Sequence, residues 1–159
     1  MIKLCLLFVI SAALIGCASP RVPVSASYTL NNQTQAVYKK ELLAEYDNWK
    51  STPYRFGGTS KRGIDCSAYM QHTYSKIFNI DLPRTAKAQS KVGKTVPYQK
   101  MQVGDLIFFR PDTYPAHVGV YLGDGTFIHV SSKRGVSRSS ITDGYWLKHF
   151  RYAKRIVNS

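Results

Sequence analysis

HVGVYLGDGTFIHV, running from His117 to Val130, reads as two short β-strands joined at Gly123-Asp124-Gly125. Its register decides what the two histidines can do. A two-residue Asp-Gly loop would set residue 129 opposite residue 120 and point the two imidazoles to opposite sides of the ribbon. A three-residue loop made of Gly123, Asp124 and Gly125, or a bulge in either strand, sets residue 129 opposite residue 119 instead. His117 and His129 then share one face as diagonal neighbours, about 7 Å apart at the backbone and within ring-to-ring reach.

Toward the N-terminus the pattern turns helical. Tyr38, Leu42, Tyr46 and Trp49 recur at helical spacing and predict an amphipathic helix ended by Pro53. Asp65 is placed to cap a second helix from Cys66 to about Phe78, with Asn79 at its end and Cys66, Tyr69, Met70, Thr73 and Ile77 along one stripe. A short helix from about Ala86 to Val92, stopped by Gly93, follows. Beyond it, Leu106 to Phe109 and Phe150 to Val157 add further strand-like runs. Helices first and antiparallel strands afterwards predict an α+β fold, N-terminal helices packed on a small antiparallel sheet.

A chain of 159 residues excludes a multidomain machine or a long repeat array, and 44% hydrophobic with 19% charged residues excludes a disordered tail. With 22 Lys+Arg against 9 Asp+Glu the formal charge is +13, which favours nucleic acid, anionic lipid or carboxylate-rich cell wall as neighbours. The leader separates these. Lys3 begins a positive n-region, Leu4 to Ile15 form an apolar run too short to span a bilayer, and Leu14-Ile15-Gly16-Cys17 resembles the bacterial lipobox. The expectation is a signal peptide over residues 1–16 and a flexible tether over 17–35 that starts at a lipidated Cys17. A single domain then covers 36–159. Ala18 after the cysteine points to the outer membrane, facing the periplasm of a bacterial envelope. Membrane contact through the anchor replaces nucleic acid as the expected partner. With Cys5 lost and Cys17 lipidated, Cys66 is the one free thiol of the mature chain.

Cys66, His117 and His129 form the constellation that carries chemistry. A thiol at a helix N-terminus near an imidazolium is expected to ionise far below its ordinary pKa of ~8.5, at roughly 3.5–7.5. His117 would take the proton and return it to a leaving amine, while neutral His129 fixes its tautomer. Backbone N–H groups at the start of the same helix, with the Tyr54 hydroxyl, are candidates to bind an oxyanion. One Cys and two His lack the short paired-ligand spacing of structural zinc sites, so neither metal nor other cofactor is expected.

Six motifs stand in order: Thr52-Pro-Tyr-Arg-Phe-Gly-Gly58, Gly63-Ile-Asp-Cys-Ser67, Leu82-Pro-Arg-Thr85, Gly104-Asp-Leu-Ile-Phe-Phe109, His117-Val-Gly-Val-Tyr121 and Phe127-Ile-His129. Together they resemble the motif series of the NlpC family of bacterial cell-wall cysteine peptidases. The resemblance spans about residues 36–157 and implies a papain-like fold. It further implies cleavage of peptidoglycan stem peptides, usually between γ-D-glutamate and meso-diaminopimelate. By the same likeness Cys66 is the nucleophile, His117 the base and His129 the orienter. Tyr54, Asp65 and Ser67 line the cleft, the latter two placed to meet the stem's amine, and Arg84 matches a motif position without an evident role. Ala68 departs from the glycine often found after Asp-Cys-Ser. Two other readings stay open: a non-catalytic envelope binding or scaffold lipoprotein, and a thiol amidase or acyltransferase using the same nucleophile and base. A regulatory adaptor is not identified by the sequence.

Overall fold

A computed structural model describes residues 30–109 and 116–157. The leader, Cys17 and most of the expected tether lie outside these residues. Helix α1 (Asn32–Trp49) opens the body, β1 (Thr59–Ser60) and β2 (Gly63–Ile64) form a small ribbon, and α2 (Cys66–Phe78) and α3 (Ala86–Gln89) follow. The main strands are β3 (Lys94–Val96), β4 (Leu106–Phe109), β5 (His117–Gly123), β6 (Thr126–Ser131) and β7 (Gly135–Ser140). Helix α4 (Gly144–His149) leads directly into β8 (Phe150–Arg155). The fold is α+β. Its six-stranded sheet has the order β3-β8-β4-β5-β6-β7, with every pairing antiparallel, so that β8 is inserted between β3 and β4.

Helix α1 begins before the expected domain boundary. Asn31 caps it by accepting from Thr34 N at 2.8 Å, and the Leu30 N–H donates to Gln102 Oε1 at 3.1 Å. Residues 30–35 therefore belong to the folded body; their Asn and Gln side chains, compositionally tether-like, act as cap and clasp. Helix α2 matches the sequence reading at both ends. Asp65 caps it through Ala68 N, and Asn79 closes it in the left-handed conformation at φ 54°.

Both faces of the sheet are covered. Leu106, Phe108, Val118, Val120, Leu122 and Ile128 pack against Leu42 and Trp49 of α1 and Tyr69, Met70 and Tyr74 of α2. Full burial of side chains of this size stabilises the fold by about 1.5–3 kcal/mol each. On the other face Ile107, Phe109, Phe127, Ile141 and Ala153 form a second cluster, lidded by Trp146 of α4. Alternation along β4 divides Leu106 and Phe108 from Ile107 and Phe109, which is why all four residues of that strand are buried.

The decisive hairpin adopts the productive register by the bulge. Gly119 pairs with His129 and Tyr121 with Phe127, but Gly123 pairs with Thr126, leaving Leu122 as an extra residue on β5. The connection is a two-residue turn, Asp124-Gly125, with φ of 51° and 69°. Such turns twist as the flanking strands do. The three-residue loop is not formed; the buried Leu122 bulge corrects the register in its place.

Candidate active site

Cys66 stands at the first position of α2, where Asp65 organises the backbone. One Asp65 carboxylate oxygen accepts from Ala68 N at 2.8 Å and from Ser67 Oγ at 2.9 Å; the other accepts from Gly57 N at 3.1 Å. Arg84 completes the set, donating to one oxygen at 3.1 Å and to the other at 2.6 Å, and to Ser67 Oγ at 3.1 Å. Burial by itself would raise the Asp65 carboxyl, but the bonds from Arg84, Ala68 N–H and Ser67 outweigh it and hold the group below its usual range. Gln89 of α3 ties this corner down, donating to the carbonyls of Ser67 and Pro83, each at 2.9 Å.

These contacts revise the expectation for Asp65 and Ser67. Both border the cleft, yet both are buried and committed inward, so they fix the start of the helix that carries Cys66 rather than stand as free groups facing the cleft. Arg84, whose role the sequence left open, is the residue that faces outward: its side chain is 41% exposed while it neutralises Asp65.

The two histidines lie together. His117 Nε2 is 3.0 Å from His129 Nδ1, with the rings nearly perpendicular at 84°. The residue between them on this face is Gly119. A Cβ there would stand 2.7 Å from Ile128 O, 3.0 Å from Phe127 Cδ2 and 3.2 Å from His129 Cβ, so only glycine lets the imidazole seat against the opposing strand. Trp146 covers the pair, its ring centroid 5.7 Å from His117 and 4.7 Å from His129, and Phe127 lies 5.0 Å from His129. Beyond, His129 Nε2 is 3.0 Å from Ser139 Oγ on β7.

Helix α2 packs on β5, and Cys66 and His117 line the same cleft of about 780 Å³. Here the expected low thiol pKa is not met. Burial pushes the Cys66 thiol up to about 11, with the Asp65 charge adding to it, against the pull of the N–H groups of Val118, Ser67 and Cys66 itself. Burial likewise pushes His117 down to about 4, and His129 falls well below the ordinary imidazole value through burial, His117 and Arg134. The helix dipole acts over one turn, whereas desolvation acts on the whole charge, and the latter wins. At neutral pH the resting pair is thiol and imidazole, both uncharged. In such a pair, a proton leaving the sulfur for the imidazole would move during attack rather than before it.

The remaining cleft wall carries Tyr54, exposed Phe56, Lys87, Lys133, Arg134 and Tyr145. Among the described residues the rim is basic, since its one carboxylate there, Asp65, is already neutralised. Phe56, Lys133, Arg134, Ser139 and Trp146 were not singled out from the sequence. For Trp146 a signal existed in Asp143-Gly-Tyr-Trp146, a capped short helix with adjacent aromatics. Among the described residues, no cluster of three or more His, Cys, Asp or Glu is arranged to hold a metal ion.

With this geometry in view, comparison with known proteins is specific. The sequence profile of the NlpC/P60 family matches residues 51–155. A Haemophilus influenzae protein named "Probable endopeptidase NlpC homolog" is 42% identical over 127 residues, covering 80% of this chain and 68% of that one. The Escherichia coli "Probable endopeptidase NlpC" is 35% identical over 97% of this chain and 99% of its own length. The chain spans 64% of the E. coli "Murein DD-endopeptidase MepS/Murein LD-carboxypeptidase", at 38% identity over 76% of itself. Among solved structures, an NlpC/P60 family protein from Bacillus cereus aligns with a TM-score of 0.67 at 30% identity, covering 75% of this chain and 40% of that one.

Proposed function

This chain belongs to the NlpC/P60 family, and on that footing we propose that it is a cysteine peptidase hydrolysing peptide bonds in the stem peptides of peptidoglycan. The observation that carries the reading is the 3.0 Å His117–His129 bond in the cleft that Cys66 opens into. In this mechanism the Cys66 sulfur attacks the scissile carbonyl as its proton passes to His117 Nδ1. His117 Nε2–H donates to His129 Nδ1, which steadies the imidazolium. The N–H groups of Cys66 and Ser67 lie beside the sulfur and suit the oxyanion. His117 returns the proton to the leaving amine, and water then hydrolyses the thioester with His117 again as base.

The finer assignment is the γ-D-glutamyl–meso-diaminopimelate bond, with Arg84 and the basic rim suited to stem carboxylates. The name of the E. coli relative points instead to D,D and L,D bonds, so fragment identity is the measurement that matters. Purified sacculi treated with the protein should release fragments whose new termini, read by mass spectrometry, are γ-D-glutamate and meso-diaminopimelate; D,D-cleaved fragments would overturn that bond. Cys66→Ala should abolish release while leaving circular dichroism unchanged, and undiminished release would sink the peptidase reading. Lipidation of Cys17 and residence on the periplasmic face of the outer membrane complete the proposal. Radiolabelled palmitate should enter the protein and be lost in Cys17→Ala; equal labelling of the variant would refute the anchor.

A further inference from the structure

The line of hydrogen bonds continues past His129. Ser139 Oγ, 3.0 Å from His129 Nε2, also accepts from Arg134 Nη2 at 3.1 Å. In the β6–β7 ladder Ser139 lies opposite Phe127 and Ser137 opposite His129, so Ser139 occupies the face that carries the histidines. Both bonds come from elements other than that of the nucleophile, which ties β7 to the reaction.

The direction of each proton decides whether His117 can be a base. Its Nε2 faces His129, so the lone pair that takes the thiol proton must be on Nδ1. Nε2 then carries hydrogen and donates to His129 Nδ1, and the single proton of neutral His129 must sit on its Nε2, where it needs an acceptor. Ser139 Oγ is that acceptor. Were the Ser139 hydroxyl to donate instead, His129 would carry its proton on Nδ1, His117 would accept at Nε2, and its Nδ1–H would have no lone pair for the thiol.

Arg134 supplies a second bias. Among the described residues, the groups around His129 are His117 from β5, Phe127 on its own strand, Ser139 from β7, Trp146 from α4 and Arg134 from the turn between β6 and β7. Arg134 is the fixed charge among them. A guanidinium beside His129 makes it the poorer base of the histidine pair, so a transferred proton rests on His117, next to the departing amine.

We propose that Ser139 is a positioning residue of the catalytic set: it accepts the Nε2 proton of His129 and holds that ring as an acceptor for His117, while Arg134 keeps the transferred proton on His117. The proposal rests on the peptidase reading, but its first test uses no substrate. Nitrogen-15 NMR of the imidazoles in the free protein at pH 7 should find His129 protonated on Nε2, and Ser139→Ala should mix the two tautomers. Protonation of His129 on Nδ1 in the unaltered protein would overturn the proposal whatever bond is cut. With a defined stem peptide, Ser139→Ala should lower kcat roughly tenfold at constant KM, the effect of one lost hydrogen bond, and Ser139→Thr should restore it. Arg134→Gln removes the charge but keeps a donor, and should move the acid limb of the kcat profile to higher pH. An unchanged kcat in Ser139→Ala, a loss that threonine does not rescue, or an unmoved acid limb in Arg134→Gln would each count against the assignment.

Discussion

Gly119→Ala adds one methyl group, far smaller than any catalytic side chain, yet it should cost most of the activity. The new Cβ would lie 2.7 Å from Ile128 O, where ordinary contact begins near 3.4 Å. Backbone cannot rotate out of the way as a flexible side chain does, so β5 and β6 must part by about 0.5–0.7 Å at the His129 pairing. The His117–His129 separation of 3.0 Å would then pass about 3.5 Å, outside the range of a useful hydrogen bond. Overpacking of this kind destabilises by about 1–3 kcal/mol, which for a domain of this size is a fall in Tm of about 3–10 °C. If His117 is the base proposed above, misplacing the ring it bonds to should lower kcat about 10- to 100-fold. The assay is single-substrate turnover of a stem peptide alongside thermal melting, both well below the lowered Tm. A variant that keeps wild-type kcat would refute the claim that this contact sets the spacing of the histidines.

The other expectations are more direct. His117 titrates near about 4 in the folded protein against 6.5 in the unfolded chain, so the unfolded state binds the extra proton between those values. Stability is therefore present above about 6.5 and lost as pH falls to about 4, by about 3 kcal/mol from this group; urea midpoints at pH 7 and 4.5 should show it, and His117→Gln should flatten the dependence. Iodoacetamide should alkylate Cys66 at pH 6 no faster than a model thiol, because burial keeps the sulfur protonated; rapid labelling would mean that the free enzyme already holds a thiolate. Asp65→Ala removes a helix cap and five accepted hydrogen bonds and strands Arg84, so urea unfolding should register a loss of about 2–4 kcal/mol. A loss under about 0.5 kcal/mol would place the order of that corner elsewhere.

Local signals were the readable ones. Asp65 and Asn79 each terminate α2 through contacts within five residues, so both ends follow from sequence. The shared face of His117 and His129 was one of two registers open to the hairpin, and a bulge at Leu122 selected it. Bulging there depends on burial of Leu122 under α1 and α2, which the hairpin residues do not encode. Strand β7 was missed because Ser137, Arg138, Ser139 and Ser140 lack apolar alternation, and its pairing partner β6 supplies what propensity does not. Helix α1 begins early because the Leu30 N–H donates to Gln102 Oε1 and Gln35 Oε1 accepts from Val103 N, some seventy residues away. The high thiol pKa is hidden for the same reason: a helix terminus is visible in sequence, but the neighbours that exclude water from it are not.

The placement of β8 between β3 and β4 has a consequence for biosynthesis. A strand that is translated after all the others occupies an interior slot, so the sheet stays split until that segment has left the ribosome. Until then β4 lacks one neighbour, the hairpin bearing both imidazoles hangs from an incomplete scaffold, and α2 has only part of its packing surface. Such long-range closure slows folding. It also means that a chain ending before residue 150 lacks the neighbour that β4 needs to hold the hairpin of His117 and His129 in place.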